Sequence, residues 1–325
     1  MRLIDQMTLM TMGKDAGLRL NRSRLGGANH PKLTGKRVKA LIAVAAVAPA
    51  AAFVPAMATP AAASAKTTLI GSGSSAAQPY MVALFAAYSK LHKKIGFRYN
   101  PDGGNAGVKD VQSGISQFAV QTAAPLPSQT NVTFSKIFLD GLCIDVNSQN
   151  KLSNLSLAQL AGAFKQPPTY LTWGQLGSNL GGDSIQTQGR NSAAGQFTFF
   201  QAAVLGGGSE NTSTTQLTSD GLVKVAIEKN KDAIGYVGLA NSGAKGETKA
   251  PGEKALSING VACSPANIKN RSYPLWRYDW AVVPRNAPNS QVLAFFKWVS
   301  TSAAAGKILS TSGAVPAFNK VAKKK

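Results

Sequence analysis

The feature that most constrains this chain is an alternation. Short apolar runs that read as strands are followed repeatedly by segments whose apolar residues recur at helical spacing. Thr67–Gly73, TTLIGSG, reads as a strand and a turn. Residues 77–92 read as a helix with Met81, Leu84, Phe85, Tyr88 and Leu91 on one face. Residues 96–100 then predict a strand, 106–116 a helix and 117–122 a strand. This order predicts an α/β fold, a parallel sheet with helices on its faces.

The alternation continues downstream. Residues 136–147 read as a long strand, 156–164 as a short helix and 184–189 as a strand. The stretch RNSAAGQFTFFQAAVL (190–205) opens another helix. Residues 233–241 read as strand then turn, 278–286 as a strand and 290–309 as one amphipathic helix, with a polar surface loop at 241–254.

Three loops of small residues, 71–75, 103–107 and 190–196, each open a helix. A helix N-terminus leaves backbone N–H groups unpaired and carries partial positive charge. Several such ends aimed into one crevice form an anion site, and small residues let the anion reach the backbone. Taken singly, such a turn is more often a plain helix cap.

Residues 1–65 read as a targeting segment. Lys36, Arg37 and Lys39 precede the Ala-rich apolar run 40–57, and Ala63-Ser64-Ala65 has the form of a cleavage site, which predicts export with cleavage after Ala65. The residue directly after that point is Lys66, not a cysteine that could carry a lipid. Of the formal net charge of +21, seven units lie in residues 1–65, so +14 remain on residues 66–325. That charge suits anionic partners: small oxyanions, cell-surface polymers or nucleic acid. Aromatic residues are not interleaved with the basic ones along the sequence, which argues against nucleic acid. Catalysis is disfavoured too. Only His30 and His92 are present, no Gly-x-Ser-x-Gly elbow occurs, and no ligand spacing points to a metal or other cofactor. Cys143 and Cys263 are either one disulfide or two buried thiols.

Taken in order, the motifs resemble the phosphate-specific substrate-binding proteins of ABC transporters. The carriers are LIGSGSSAAQPY, YNPDGGNAGVKDVQSGISQFAVQTAAPL, LSLAQLAGAFKQPPTYLTWGQLG, AIGYVGLAN and INGVACSPANIKNRSYPLWR, which together span most of residues 66–315. The resemblance implies a type II periplasmic-binding-protein fold, two lobes joined by crossing hinge strands with a ligand cleft between them. Lobe 1 would comprise 66–143 and 262–325, and lobe 2 would comprise 144–261. It further implies a monomer that captures inorganic phosphate and serves the permease and ATPase of an importer. Cys143 and Cys263 then fall near the lobe crossings, where a disulfide is expected.

Carried over by position, the family's first-loop hydroxyl falls on Ser75, beside Ser74, with Ala76 supplying a backbone N–H. The second-loop serine falls on Gly104, with Asn105 next to it, and the arginine falls on Arg190, expected to be the main ligand cation. Two departures stand out. Where the family has Ser-Asp-Ala-Pro, this chain has Gln121-Thr122-Ala123-Ala124-Pro125, so the ligand-binding aspartate is missing. The family's Ser-Gly-Thr helix start is replaced by Ala193-Ala194-Gly195-Gln196. Thr122, Ser192, Gly195 and Gln196 are the candidate substitute donors. Without the carboxylate, phosphate is expected to remain preferred but sulfate to be poorly rejected. Asp102 would restore the rejection if it faced the cleft; otherwise it is a turn residue. The departures leave two other readings open: a sensor or structural protein on the same fold, and a polyanion binder.

Overall fold

The computed structural model describes residues 66–245 and 252–317. Residues 1–65, read from the sequence as a targeting segment, lie outside them. In chain order the elements are β1 Thr67–Gly73, α1 Gln78–Leu91, β2 Ile95–Asn100, α2 Gly104–Gln112, β3 Phe118–Gln121 and β4 Val132–Asn147. There follow β5 Asn154–Leu155, α3 Leu157–Phe164, β6 Gln186–Arg190, α4 Gly195–Ala203, β7 Thr215–Leu217 and α5 Asp220–Lys229. The last are β8 Ala233–Gly238, β9 Glu253–Ile258, α6 Pro265–Lys269, β10 Trp276–Pro284, α7 Ser290–Thr301, α8 Ala303–Ser312 and β11 Val315–Pro316.

The strands run in the order β2-β1-β3-β10-β4-β8-β6-β7. β1 is parallel to β2 and β3, and β6 is parallel to β7 and β8, as the strand–helix alternation predicts. The two parallel sets are joined by β4. Its first ten residues pair with β10, and from Leu142 onward it pairs with β8 and β9. One strand thus serves both halves of a two-lobed α/β fold.

Each half has its own apolar interior. In the first, Tyr80, Met81, Leu84 and Phe85 of α1 pack with Phe118, Phe138, Phe295 and Leu309. Val108 and Val111 of α2 cover the other face against Ala119 and Val282. In the second, Leu160 and Phe164 of α3 and Phe200 of α4 pack with Ile144, Trp173 and Tyr236, while Val223 and Ile227 of α5 cover Ala233 and Val237. Cys143 of β4 and Cys263, which precedes α6, are joined as a disulfide with Cα atoms 5.6 Å apart.

Three local readings change. The helix expected at 290–309 is two helices bent by 72° at Ser302, because the Ser302 hydroxyl accepts from Ala304 N (3.2 Å) and starts α8 as a cap. The polar loop expected at 241–254 gives way at Glu253 to β9, which buries Leu256 opposite Ile144 of β4 and Ile258 opposite Leu155 of β5. Helix α5 was not read as an element at all. The absence of interleaved aromatic and basic residues does not hold at 271–280, RSYPLWRYDW, where Arg271 lies 4.9 Å from the Trp276 ring centre, and the Lys136 ammonium lies 4.2 Å from the Tyr278 ring centre.

Candidate functional site

Helices of the described residues divide by how they begin. Ser156, Ser219, Ser264, Asn289 and Ser302 each place a side-chain oxygen on the first turn of α3, α5, α6, α7 and α8. The residues at the same position before α1, α2 and α4 are Ala77, Gly103 and Ala194, which supply no such cap. These three helices open from the small-residue loops that the sequence marked.

The loops meet across the two halves. Ala193 O accepts from Asn105 N (2.9 Å) and Ala106 N (3.2 Å), so it closes the first turn of α2. Asn105 Nδ2 donates to Ser192 O (2.9 Å), Ala194 O (3.3 Å) and Thr198 Oγ1 (2.9 Å). Glycine is required where the backbones come closest. Gly103 has φ +114°, and a Cβ there would strike Ala193 O.

The second meeting point is a buried polar cluster. Asp220, the first residue of α5, is fully buried. Its Oδ1 accepts from Ser75 Oγ (3.2 Å) and pairs with Arg190 Nη1. Its Oδ2 accepts from Gln196 Nε2 (2.9 Å) and Gly238 N (2.8 Å). Asp220 N donates in turn to Ser75 Oγ (3.3 Å). Arg190 completes its own set by donating from Nε to Leu217 O (3.1 Å), from Nη1 to Gln196 Oε1 (2.6 Å) and from Nη2 to Thr218 O (2.8 Å). Its backbone N–H is held by Tyr236 Oη (2.9 Å), which donates to Glu210 (2.7 Å); burial raises the Glu210 carboxyl. A buried charge needs a partner and hydrogen bonds, and here both members have them.

Gln121 lies between the two uncapped helices α2 and α4. It ends β3 and is fully buried. Its Oε1 accepts from Thr122 N (2.9 Å) and Ala123 N (3.4 Å), and its Nε2 donates to Asn105 Oδ1 (2.7 Å). A Cβ on Gly104 or on Gly195, the first residues of α2 and α4, would overlap that same Oε1. The one on Gly195 would also lie 2.8 Å from Thr122 Oγ1. Thr122 Oγ1 is buried and has no hydrogen-bond partner.

Of the residues expected at the site, Ser75, Arg190 and Gln196 converge on Asp220, while Gly104, Asn105, Thr122 and Gly195 surround Gln121. Ala76 is buried against Gly238. Ser74 turns back on its own loop, where its Oγ accepts from Ala77 N (3.2 Å). The Ser192 side chain is exposed, and only its carbonyl takes part. Asp102 accepts from Gly73 N (3.3 Å) and Asn100 Nδ2 (2.9 Å), which makes it a brace of its own loop; burial raises its pKa. Asp220 and Gln121 were not among the expected site residues. A signal for Asp220 existed in the Ser219-Asp220 pair ahead of GLVKVAIEK, a cap followed by helical spacing.

A further ion cluster lies on the crossing strands. Asp140 of β4 accepts from Tyr80 Oη (3.2 Å) and Arg277 Nη2 (2.9 Å), and Asp279 lies 3.7 Å from Arg277 Nε. Burial raises both carboxyls, and the neighbouring Asp140 charge raises Asp279 further. His92 stacks on Tyr88 at the exposed end of α1 (4.1 Å), and no group of metal-binding side chains occurs among the described residues.

A family model described as a PBP superfamily domain matches residues 58–302. The chain belongs to the PBP superfamily. Among similar PBP structures is that of a phosphate ABC transporter substrate-binding protein from Clostridium perfringens, described with bound phosphate. It has a TM-score of 0.69 at 20% identity over 77% of this chain and 99% of that one. A phosphate transport receptor from Vibrio cholerae follows with a TM-score of 0.60 at 21% identity, over 76% and 99%. In sequence, the PBP chain is 26% identical over 200 residues to phosphate-binding protein PstS of Pseudomonas aeruginosa, covering 58% of this chain and 61% of that protein. Phosphate-binding protein PstS 2 of Streptococcus pneumoniae is 29% identical over 105 residues, 32% of this chain and 35% of that protein. The chain thus spans less than two thirds of the length of these curated relatives.

Proposed function

We propose that the protein captures a small tetrahedral oxyanion, inorganic phosphate before others, outside the cytoplasmic membrane and delivers it to the permease and ATPase of an ABC importer. The observation that carries this reading is the selective lack of caps. Where five helices close their first turns with a Ser or Asn side chain, α1, α2 and α4 begin from small-residue loops without one, and the first turn of α2 is closed by the carbonyl of Ala193 from the loop before α4. Arg190 lies beside the first turn of α4, where its Nη1 donates to Gln196 Oε1, and its charge is balanced by Asp220, so no uncompensated buried cation is left there. The names of the relatives point to the same ligand.

Residues 1–65 fit this role as an export signal removed after Ala65. Residues 66–143 with 262–325, and residues 144–261, fit it as two lobes that grip the ligand. Calorimetric titration of residues 66–325 with phosphate tests the reading. A saturable 1:1 isotherm supports it. Binding only to long polyanions, falling steeply with salt, points to a polyanion binder instead.

A further inference from the structure

On the oxyanion reading above, we propose that Gln121 is a self-ligand: its carboxamide oxygen occupies the seat that the anion must take, so that anion binding requires its expulsion. The support is positional. Gln121 Oε1 is held by two backbone N–H groups, those of Thr122 and Ala123. It also lies against the first residues of both α2 and α4, close enough that neither Gly104 nor Gly195 accepts a Cβ. A partly negative oxygen belongs at this point, because the start of α4 favours negative charge there, while the first-turn N–H groups of Asn105 and Ala106 in α2 are already taken by Ala193 O. An amide oxygen fills the seat with a weaker charge than an oxyanion would.

The arrangement leaves one defect, which points to a second occupant. Thr122 Oγ1 is buried without a hydrogen-bond partner beside Gly195. Buried hydroxyls are ordinarily satisfied. A tetrahedral anion has four oxygens where the amide has one, so it can accept from Thr122 N, Ala123 N and the Thr122 hydroxyl together. Gln121 therefore sets a threshold, and its length determines how much of the anion's gross affinity is retained.

Phosphate titrations of residues 66–325 and of the variants Gln121→Ala and Gln121→Asn test this. Both shortened side chains withdraw the oxygen, and Asn keeps an amide in case Ala fails to fold. The expected result is a phosphate affinity at least tenfold higher for Gln121→Ala, with a smaller gain for Gln121→Asn. Gln121→Glu, which places a carboxylate in the seat, should abolish binding. Equal or weaker binding by both shortened variants overturns the self-ligand and leaves the phosphate reading standing. No binding of phosphate, sulfate or arsenate by any form overturns the oxyanion reading and this inference together.

Discussion

The Asp220 carboxylate and the Arg190 guanidinium form an ion pair shut away from solvent, with the two side chains 0% and 1% exposed. Asp220 belongs to the start of α5 and Arg190 to the end of β6, and Ser75 reaches the same carboxylate from the other half of the molecule. The pair therefore holds the second half together and also anchors the loop before α1.

Removing one member of such a pair leaves a buried charge unpaired. Asp220→Ala is expected to cost about 3–5 kcal/mol of stability, and Asp220→Asn less, since an amide keeps the shape and part of the hydrogen bonding. Chemical denaturation of the two variants beside the parent measures this. A loss below about 1 kcal/mol for Asp220→Ala would show that the pair is dispensable.

Arg190→Lys keeps the charge but not the fork. A single ammonium cannot serve Asp220, Gln196, Leu217 O and Thr218 O from the guanidinium's fixed directions. Phosphate binding should weaken by about 2 kcal/mol, the scale of a charged hydrogen bond lost from the network that positions Gln196 and the start of α4. Unchanged affinity in calorimetry would place Arg190 outside the ligand's reach.

A pH effect is expected far from the cleft. Burial, with the charge of Asp145, pushes Glu253 up to about 8, although the Lys224 ammonium lies 3.0 Å away. Burial pushes Asp145 up to about 6. A carboxyl with a raised folded-state pKa binds its proton more tightly in the folded state, so stability falls as pH rises. The loss should run from about pH 4.5 to pH 8, the interval over which Glu253 changes from protonated in both states to ionised in both. Melting temperatures over that range should decline less in Glu253→Gln than in the parent. Parallel curves would rule the assignment out.

The Cys143–Cys263 disulfide closes a loop across 120 positions of sequence. In the chain-entropy account a loop of this size contributes about 4–5 kcal/mol. Guanidinium denaturation with and without reductant should differ by most of that amount. Coincident curves would show that the bond adds nothing.

How much of this was legible in the sequence depended on whether the signal was local. The first strands and helices follow from Leu69, Leu84, Phe118 and their neighbours, because burial on one face imposes a period that the sequence displays. Small-residue loops marked where α1, α2 and α4 would begin. Asp220 escaped because α5 was not recognised as a helix, and nothing local ties Asp220 to Arg190, 30 positions earlier. Gln121 escaped because a polar residue closing a strand looks like the start of a loop. Its meaning appears only when Gly104 and Gly195 are brought to its side chain from elsewhere. The break at Ser302 was hidden for the opposite reason, since apolar spacing runs through it on both sides.

Selectivity should follow from what surrounds the seat. Asp220 spends both oxygens on four partners, and Asp102 faces Gly73 N and Asn100. Neither carboxylate is placed to accept the proton of a phosphate beside Gln121, so no charge is set against sulfate. Excess sulfate should therefore compete with phosphate in titration. Phosphate binding indifferent to a hundredfold excess of sulfate would contradict this.

The most direct measurement is a crystal structure of residues 66–325 grown with arsenate, a tetrahedral phosphate mimic whose anomalous scattering locates it unambiguously. The account predicts one arsenic peak between the first turns of α2 and α4, with an anion oxygen within hydrogen-bond distance of Thr122 Oγ1 and with the Gln121 carboxamide moved out of the seat. An anomalous peak elsewhere, with Gln121 still bonded to Thr122 N and Ala123 N, would contradict it.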